Sequence, residues 1–326
     1  MEDSSVFPER TSFHDLNEAI EAVRTQISQV IVGQPESIDL LLTGMLSGGH
    51  ILIEGVPGIA KTLTARLLAA SLEIPFTRIQ FTPDLMPSDV LGTAVFNQRT
   101  MDFEFRKGPV FSGIVLIDEI NRAPAKTQSA LFEVMEERQV SIDGKVYAMH
   151  DPFMVLATQN PIEQEGTYRL PEAQLDRFLF KLLLNYPSLE EESEIIRRHH
   201  RSPVADLGAV IKPVLSAARI RALKSQVRGI HIEEELIAYI ARIVHETRIH
   251  KGIYLGASPR ASISLLMASK ALSALRGRDF VSPDEIRYLA APVLRHRLIL
   301  SPEKEMEGST SDQLISEILQ KIEVPR

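Results

Sequence analysis

Apolar residues fall into two distinct rhythms along this chain. Between residues 13 and 31, Leu16, Ala19, Ile20, Val23, Ile27 and Val30 recur at the spacing of one helical face. A turn, "VGQPES", follows, and a second helical segment runs to about Met45. The rhythm then changes to short continuous apolar runs separated by helical patterns: "HILIEG" (50–55), "FTRIQF" (76–81), "GIVLID" (113–118), "FMVLATQ" (153–159) and "FLFKLLL" (178–184). Continuous apolar runs alternating with helices predict parallel strands covered on both faces. Two segments depart from that scheme. In 93–108, Phe103 and Phe105 alternate with charges. In 139–147, Val140 and Ile142 alternate before Asp143-Gly144, a strong hairpin dipeptide. Both read as β-hairpins inserted into an α/β core. Beyond "YPSLEEES" (186–193) the strands are expected to stop, with helices over 190–200, 216–227, 233–249, 259–276, 283–295 and 311–322. The division expected is a flexible start (1–12), an α/β domain (13–188) and a helical domain (189–326).

Composition narrows the class. The absence of cysteine excludes disulfides and thiolate metal sites, which suits a reducing cytoplasm. A net charge of −7 argues against a broad nucleic-acid surface. The polar, acidic start is unlike a secretory signal, and no apolar stretch approaches the ~20 residues of a membrane span. A soluble, cytoplasmic protein is the expectation. His199-His200 and the pair His245 and His250 have spacings that do not share a helix face, so no histidine metal site is expected. Glu133, Glu136 and Glu137 read as a solvated helix face.

The chemistry begins at Gly55–Thr62, "GVPGIAKT", which nearly spells the phosphate loop G-x-x-x-x-G-K-[ST]. Pro57-Gly58 has the order of a type II turn, which requires positive φ at the glycine and turns backbone N–H groups toward one concavity. Lys61 would reach the β- and γ-phosphates, and the Thr62 hydroxyl would bind Mg²⁺. Ala60 replaces the second glycine; at the start of a helix its φ and ψ are expected to be helical, where a methyl costs nothing. "IVLIDE" puts Asp118 and Glu119 at the C-terminal end of a buried strand, where α/β sheets bind ligands. Asp118 suits the Mg²⁺ water shell, and Glu119 suits polarising an attacking water. Asp-Glu after a strand is also a common helix cap; its place downstream of Lys61 makes it more specific. Asn160, in "LATQNP", ends a later strand and has the reach of a γ-phosphate, although Asn-Pro is equally a turn.

"GVPGIAKT", "DEINRAPAKTQSALFEVMEE", "ATQNPIEQEGTYRLPEAQLDRF" and "GASPRAS", in that order, resemble the MoxR family of AAA+ ATPases from about residue 13 to about 300. The resemblance implies an αβα nucleotide domain with a five-stranded parallel sheet, two inserted hairpins of the helix-2-insert group, and an all-helical lid. It implies Walker A roles for Lys61 and Thr62 and Walker B roles for Asp118 and Glu119. Asn160 falls at sensor 1, Arg177 at the arginine finger that enters a neighbouring subunit, and Arg260 at sensor 2. Val32 and Gly33, in "VIVGQ", match the adenine pocket, while Gly55, Val56, Pro57, Gly58, Ile59, Ala60 and Leu63 complete the ATP-binding set. Alanine at position 60 is common in this family. An intramolecular pair of Arg177 with Glu172 or Asp176 is the competing reading for that arginine. Ser258-Pro259 caps a helix start, so Arg260 is expected to lean toward a phosphate rather than form a structural ion pair. By resemblance, the protein is a Mg²⁺-dependent ATPase forming a homo-oligomeric ring, commonly a hexamer. It would remodel protein clients, often beside proteins with von Willebrand factor A domains. A magnesium-chelatase-like ATPase subunit and a nucleotide-gated scaffold with little turnover are the alternatives.

Overall fold

The computed structural model describes residues 14–56, 58–160, 168–201 and 211–325. The expected flexible start, Pro57, and the "PIEQEGT" part of the third motif lie outside them. Two helices, α1 (His14–Val30) and α2 (Pro35–Ser47), lead into β1 (His50–Gly55), α3 (Lys61–Ser71) and β2 (Phe76–Gln80). A short α4 (Pro87–Leu91) precedes the first hairpin, β3 (Gly92–Asn97) with β4 (Asp102–Lys107). Next come β5 (Ile114–Asp118), α5 (Ala125–Glu137) and the second hairpin, β6 (Gln139–Ile142) with β7 (Lys145–Ala148). The α/β part closes with β8 (Met154–Gln159), α6 (Glu172–Leu175) and β9 (Phe178–Leu184).

The five buried runs form one parallel sheet in the order β2-β5-β8-β1-β9. Side-chain alternation sorts each strand between its two faces. Ile51, Ile53, Ile114, Leu116, Met154 and Leu156 join one core, whereas Leu52, Val115, Ile117, Val155 and Ala157 join the other. All eleven are at most 3% exposed, so neither face of the three central strands β1, β5 and β8 meets water, as continuous apolar runs demand. Each of these side chains except Ala157 contributes about 1.5–3 kcal/mol of burial. The Asp143-Gly144 turn adopts φ values of 50° and 74°, as a type I′ hairpin requires.

The C-terminal part contains α7 (Leu189–Arg201), α8 (Ala217–Arg228), α9 (Glu234–Ile249), α10 (Pro259–Leu275), α11 (Pro283–Leu294), α12 (Pro302–Met306) and α13 (Ser311–Lys321). Helix starts follow the capping chemistry of the sequence: Ser258 accepts from the Arg260 amide, and Ser282 and Thr310 form capping boxes with Glu285 and Gln313. The expectation of an all-helical lid needs one correction. Strands β10 (Ile253–Leu255) and β11 (Ile299–Leu300) pair antiparallel. They are too short for any periodicity to reveal. Helix α10 packs on α2, and a single apolar core runs from the α1–α3 face of the sheet into α8–α11 and α13.

Candidate nucleotide site

Sheet order brings the chemistry together. Strand β8 lies between β1 and β5, so the phosphate loop after β1, the acids after β5 and Asn160 after β8 share the C-terminal edge of the sheet. Gly55 ends β1 where a Cβ would lie 2.8 Å from the Leu184 carbonyl, so only glycine fits. Gly58 has φ of 85°, as its turn requires, and no atom lies within 4 Å of where its Cβ would be. That leaves an open backbone cradle.

Ala60 departs from expectation. It is the N-cap of α3 and sits in the left-handed region at φ 61°, ψ 22°, not in the helical region. The substituted glycine position therefore still demands glycine-like geometry, and alanine bears about 1–2 kcal/mol of strain there. Its methyl packs against the core, a partial offset.

Lys61 reaches back along the loop, Nζ donating to the Gly55 carbonyl at 2.7 Å. Partial burial lowers its pKa, and Asp118, Glu119 and Glu54 oppose that shift. Glu54 is engaged by Lys181 at 2.6 Å. Asp118 is buried, with Oδ2 held by Arg78 Nε at 2.6 Å and Oδ1 accepting from Thr158 Oγ1 at 3.3 Å. The same hydroxyl accepts from the Glu119 amide at 3.0 Å, so Thr158 ties both acids to β8. Glu119 takes a left-handed φ of 59°, and its Oε2 accepts from Gln80 at 2.9 Å and pairs with Arg122 at 3.2 Å. Asn160 is 9% exposed at the end of β8.

Beside the loop is a cavity of about 760 Å³, lined by Val32, Gly33, Gly58, Ile59, Ala60 and Leu63 from the expected set. Gly55, Val56, Lys61 and Thr62 flank it without lining it. Residues of Leu183–Pro187 and the α7 side chains Glu192, Ile195, Arg198 and His199 close the other wall, a contribution the sequence did not suggest. Arg198 anchors α7 by donating to the carbonyls of Ser28 and Gln29 at the end of α1.

The two remaining arginines lie elsewhere. Arg177 precedes β9 at the N-terminal end of the sheet, where Phe178 is level with His50; Leu184, at the other end of β9, is level with Gly55. Six strand steps of ~3.3 Å therefore put Arg177 about 20 Å from the phosphate loop of its own chain. Arg177 donates to the Phe132 carbonyl at 2.5 Å and pairs with Glu136 at 2.8 Å. Neither Glu172 nor Asp176, the acids expected to compete for it, is its partner. The other Glu136 oxygen is held by Arg260. Arg260 thus makes the ion pair expected to be absent and is not brought to Lys61. Glu136 is exposed, as its helix face was expected to be, and it is also a shared counter-ion for the two arginines.

The AAA family described as "ATPase family associated with various cellular activities" matches residues 50–180, and the AAA lid domain matches 245–318. YeaC of Bacillus subtilis is 46% identical over 312 residues, spanning 95% of this chain and 96% of that protein. The chaperone MoxR1 of Mycobacterium tuberculosis is 43% identical over 322 residues, 96% of this chain and 83% of that one. This chain belongs to the MoxR family of AAA+ ATPases. A crystal structure of a candidate ATPase from Cytophaga hutchinsonii superposes with a TM-score of 0.88 at 43% identity, covering 96% of this chain and 97% of its own.

The MoxR site has the donor set of a hard cation. Thr62, Asp118 and Glu119 offer only oxygen, as Mg²⁺ prefers. Arg78, Gln80 and Thr158 were not anticipated as site residues. The alternation of "FTRIQ" does place Arg78 and Gln80 on one face of β2, and Gln80 is level with Asp118.

Proposed function

We propose that this MoxR protein hydrolyses ATP with Mg²⁺ in a ring of identical subunits, each site being completed by the neighbour's Arg177 and Arg260. The observation that carries this reading is the distance of about 20 Å between Arg177 and the phosphate loop of the same chain. An arginine finger acts by touching the γ-phosphate. Arg177, and Arg260 clasped with it on Glu136, have that reach only across an interface. Glu136 keeps the two guanidiniums in register until phosphate oxygens replace its carboxylate.

Within one chain, Gly58 and the following amides cradle the phosphates, Lys61 leaves the Gly55 carbonyl for them, and the α7-walled cavity takes the adenine. Glu119 accepts the proton of the attacking water once Gln80 and Arg122 release its carboxylate. Thr62 and Asp118 are the residues that would hold Mg²⁺, which supplies charge neutralisation on the phosphates when bound. Movement between the α/β part (13–188) and the helical part (189–326), which meet at α2 and α10, would carry turnover to the hairpins. Phe96 and Phe103 are exposed there, while Phe105 stacks on Tyr147 with ring centres 4.4 Å apart, joining the two hairpins. The work done is remodelling of a protein partner in the cytoplasm, in the manner of the chaperone MoxR1. A hexamer and a client associated with von Willebrand factor A domains are the forms we favour.

Subunit mixing tests the shared site. Lys61→Ala keeps its arginines but not its phosphate grip, and Arg177→Ala has the reverse defect. Each alone should hydrolyse ATP slowly, by roughly 10³-fold or more for the finger. Their mixture should recover turnover, because some interfaces pair an intact loop with an intact arginine. Normal turnover by Arg177→Ala, or no recovery on mixing, would refute the reading. Turnover per subunit that stays flat as protein concentration rises would favour the gated scaffold instead.

A further inference from the structure

A second cavity, of about 390 Å³, lies away from the nucleotide site, between α8 and the base of the second hairpin. Arg138, His150, Asp151, Arg221, Lys224 and Arg228 line it. Three arginines and a lysine thus face one carboxylate, on a protein whose net charge is −7. Three of the cations occupy positions i, i+3 and i+7 of α8, one helical face, where like charges repel. Arg221 and Arg228 remain exposed at the mouth of the concavity, while Lys224 is drawn down into it against the α/β part.

The local contacts leave the excess charge unspent. Arg138 caps α5 and donates to the Gly48 carbonyl at the end of α2. Lys224 Nζ and an Arg138 nitrogen lie 3.2 and 3.3 Å from where a Gly48 Cβ would begin, so the two cations crowd one spot. Arg221 donates to the Asp151 carbonyl at 2.6 Å and not to that residue's carboxylate. The Asp151 carboxylate is mostly exposed and stands 3.8 Å from Lys224, too far for a hydrogen bond. Arg228 forms no ion pair among the described residues. The Lys224 side chain is 13% exposed, and its pKa is lowered by burial first and by Arg138 next. Helix C-termini explain cations at Arg138 and in the last turn of α8 at Arg228. They do not explain Arg221 and Lys224, which lie in its second turn and its middle.

We infer that this cavity is a binding site for a small phosphate-bearing anion, clamped between α8 and the Arg138–Asp151 segment. Arginine forks match tetrahedral oxyanions, and the buried ammonium gains a partner of full opposite charge. Arg138 and Asp151 close the α8 stripe into one short concavity, which suits a compact ligand and not an extended nucleic-acid backbone. The bound anion would also tie the helical part to the hairpin that follows Arg138.

The test is calorimetric titration of the full chain, loaded with saturating ADP so that the phosphate loop is filled. Inorganic phosphate and pyrophosphate are the probes. One saturable, salt-sensitive site is expected, weakened about tenfold or more in Lys224→Met and in Arg228→Ala. Arg228 is exposed, so its variant keeps the fold even if Lys224→Met does not. Tight binding of inorganic phosphate would mark the ATPase's own product as the ligand; binding of pyrophosphate alone would mark a phosphorylated metabolite. Absence of saturable binding of either probe up to about 10 mM overturns the site. So does binding that is unchanged in both variants, including the case where they alter only self-association.

Discussion

Asp176 offers the most direct test of how the arginine face is held. Its Oδ1 accepts from Arg297 Nε at 2.7 Å and its Oδ2 from the Ser258 hydroxyl at 2.8 Å. Ser258 caps the helix that carries Arg260, and Arg177 is the next residue in the chain. The Arg297 side chain is 2% exposed and donates also to the carbonyls of Phe178, Leu179 and Val293. Asp176→Asn keeps an acceptor oxygen but leaves a buried guanidinium without its counter-charge. Breaking a buried pair from one side costs about 3–5 kcal/mol. Asp176 retains some exposure and the carbonyls share the charge, so about 2–4 kcal/mol is the expected loss. At about 2 °C per kcal/mol for a chain of this size, Tm should fall by roughly 4–8 °C. Arg297→Met should be milder, because the stranded carboxylate at 19% exposure can still be hydrated. The double variant should recover part of the loss, giving a coupling of about 1–3 kcal/mol in a double-mutant cycle. Urea unfolding of the nucleotide-free protein, followed by circular dichroism, measures all four corners. An Asp176→Asn protein within about 0.5 kcal/mol of wild type, or additive single effects, would show that the pair carries no such weight.

Two further outcomes follow from local geometry. Ala60→Gly should raise stability by about 0.5–1 kcal/mol, since relief of left-handed strain exceeds the entropy that glycine adds to the unfolded chain; a lower urea midpoint would mean that the methyl's packing outweighs the strain. His50 is buried, Nε2 bonded to the Met135 carbonyl at 3.0 Å and Nδ1 accepting from the Val155 amide at 2.9 Å, and burial depresses its pKa to about 4. The neutral ring's stabilisation is complete above the unfolded value of 6.5 and is lost as pH falls from there toward 4. About 2 kcal/mol should therefore disappear between pH 7 and pH 5, and buried His296, also depressed, adds to the loss. A His50→Gln protein whose stability falls just as steeply over that range would clear His50 of the effect.

The sheet was legible because its determinants are local. Each strand is an apolar run bounded by turn residues, and Asp143-Gly144 names its own hairpin. The acids and the phosphate loop were legible for the same reason, since strand ends define where ligands bind. Ala60 was misjudged because its φ is set by the loop that carries the chain from β1 into α3, not by the residue type. Glu136 is more instructive, being exposed as expected yet carrying a second role that the sequence does not show. Nothing near it in the chain distinguishes it from Glu133 or Glu137, and its two partners lie 41 and 124 residues away. Its burden appears only when β9 delivers Arg177 to the end of α5 and the cap at Ser258 aims Arg260 at the same carboxylate. The motifs therefore name both arginines, while their common position opposite the phosphate loop is a property of sheet direction. A parallel strand seven residues long separates its two ends by about 20 Å. Any residue just before β9 is thus denied to the phosphate loop of its own chain and presented at the far edge of the sheet. That separation, more than the identity of either arginine, is what argues for a site assembled from two subunits.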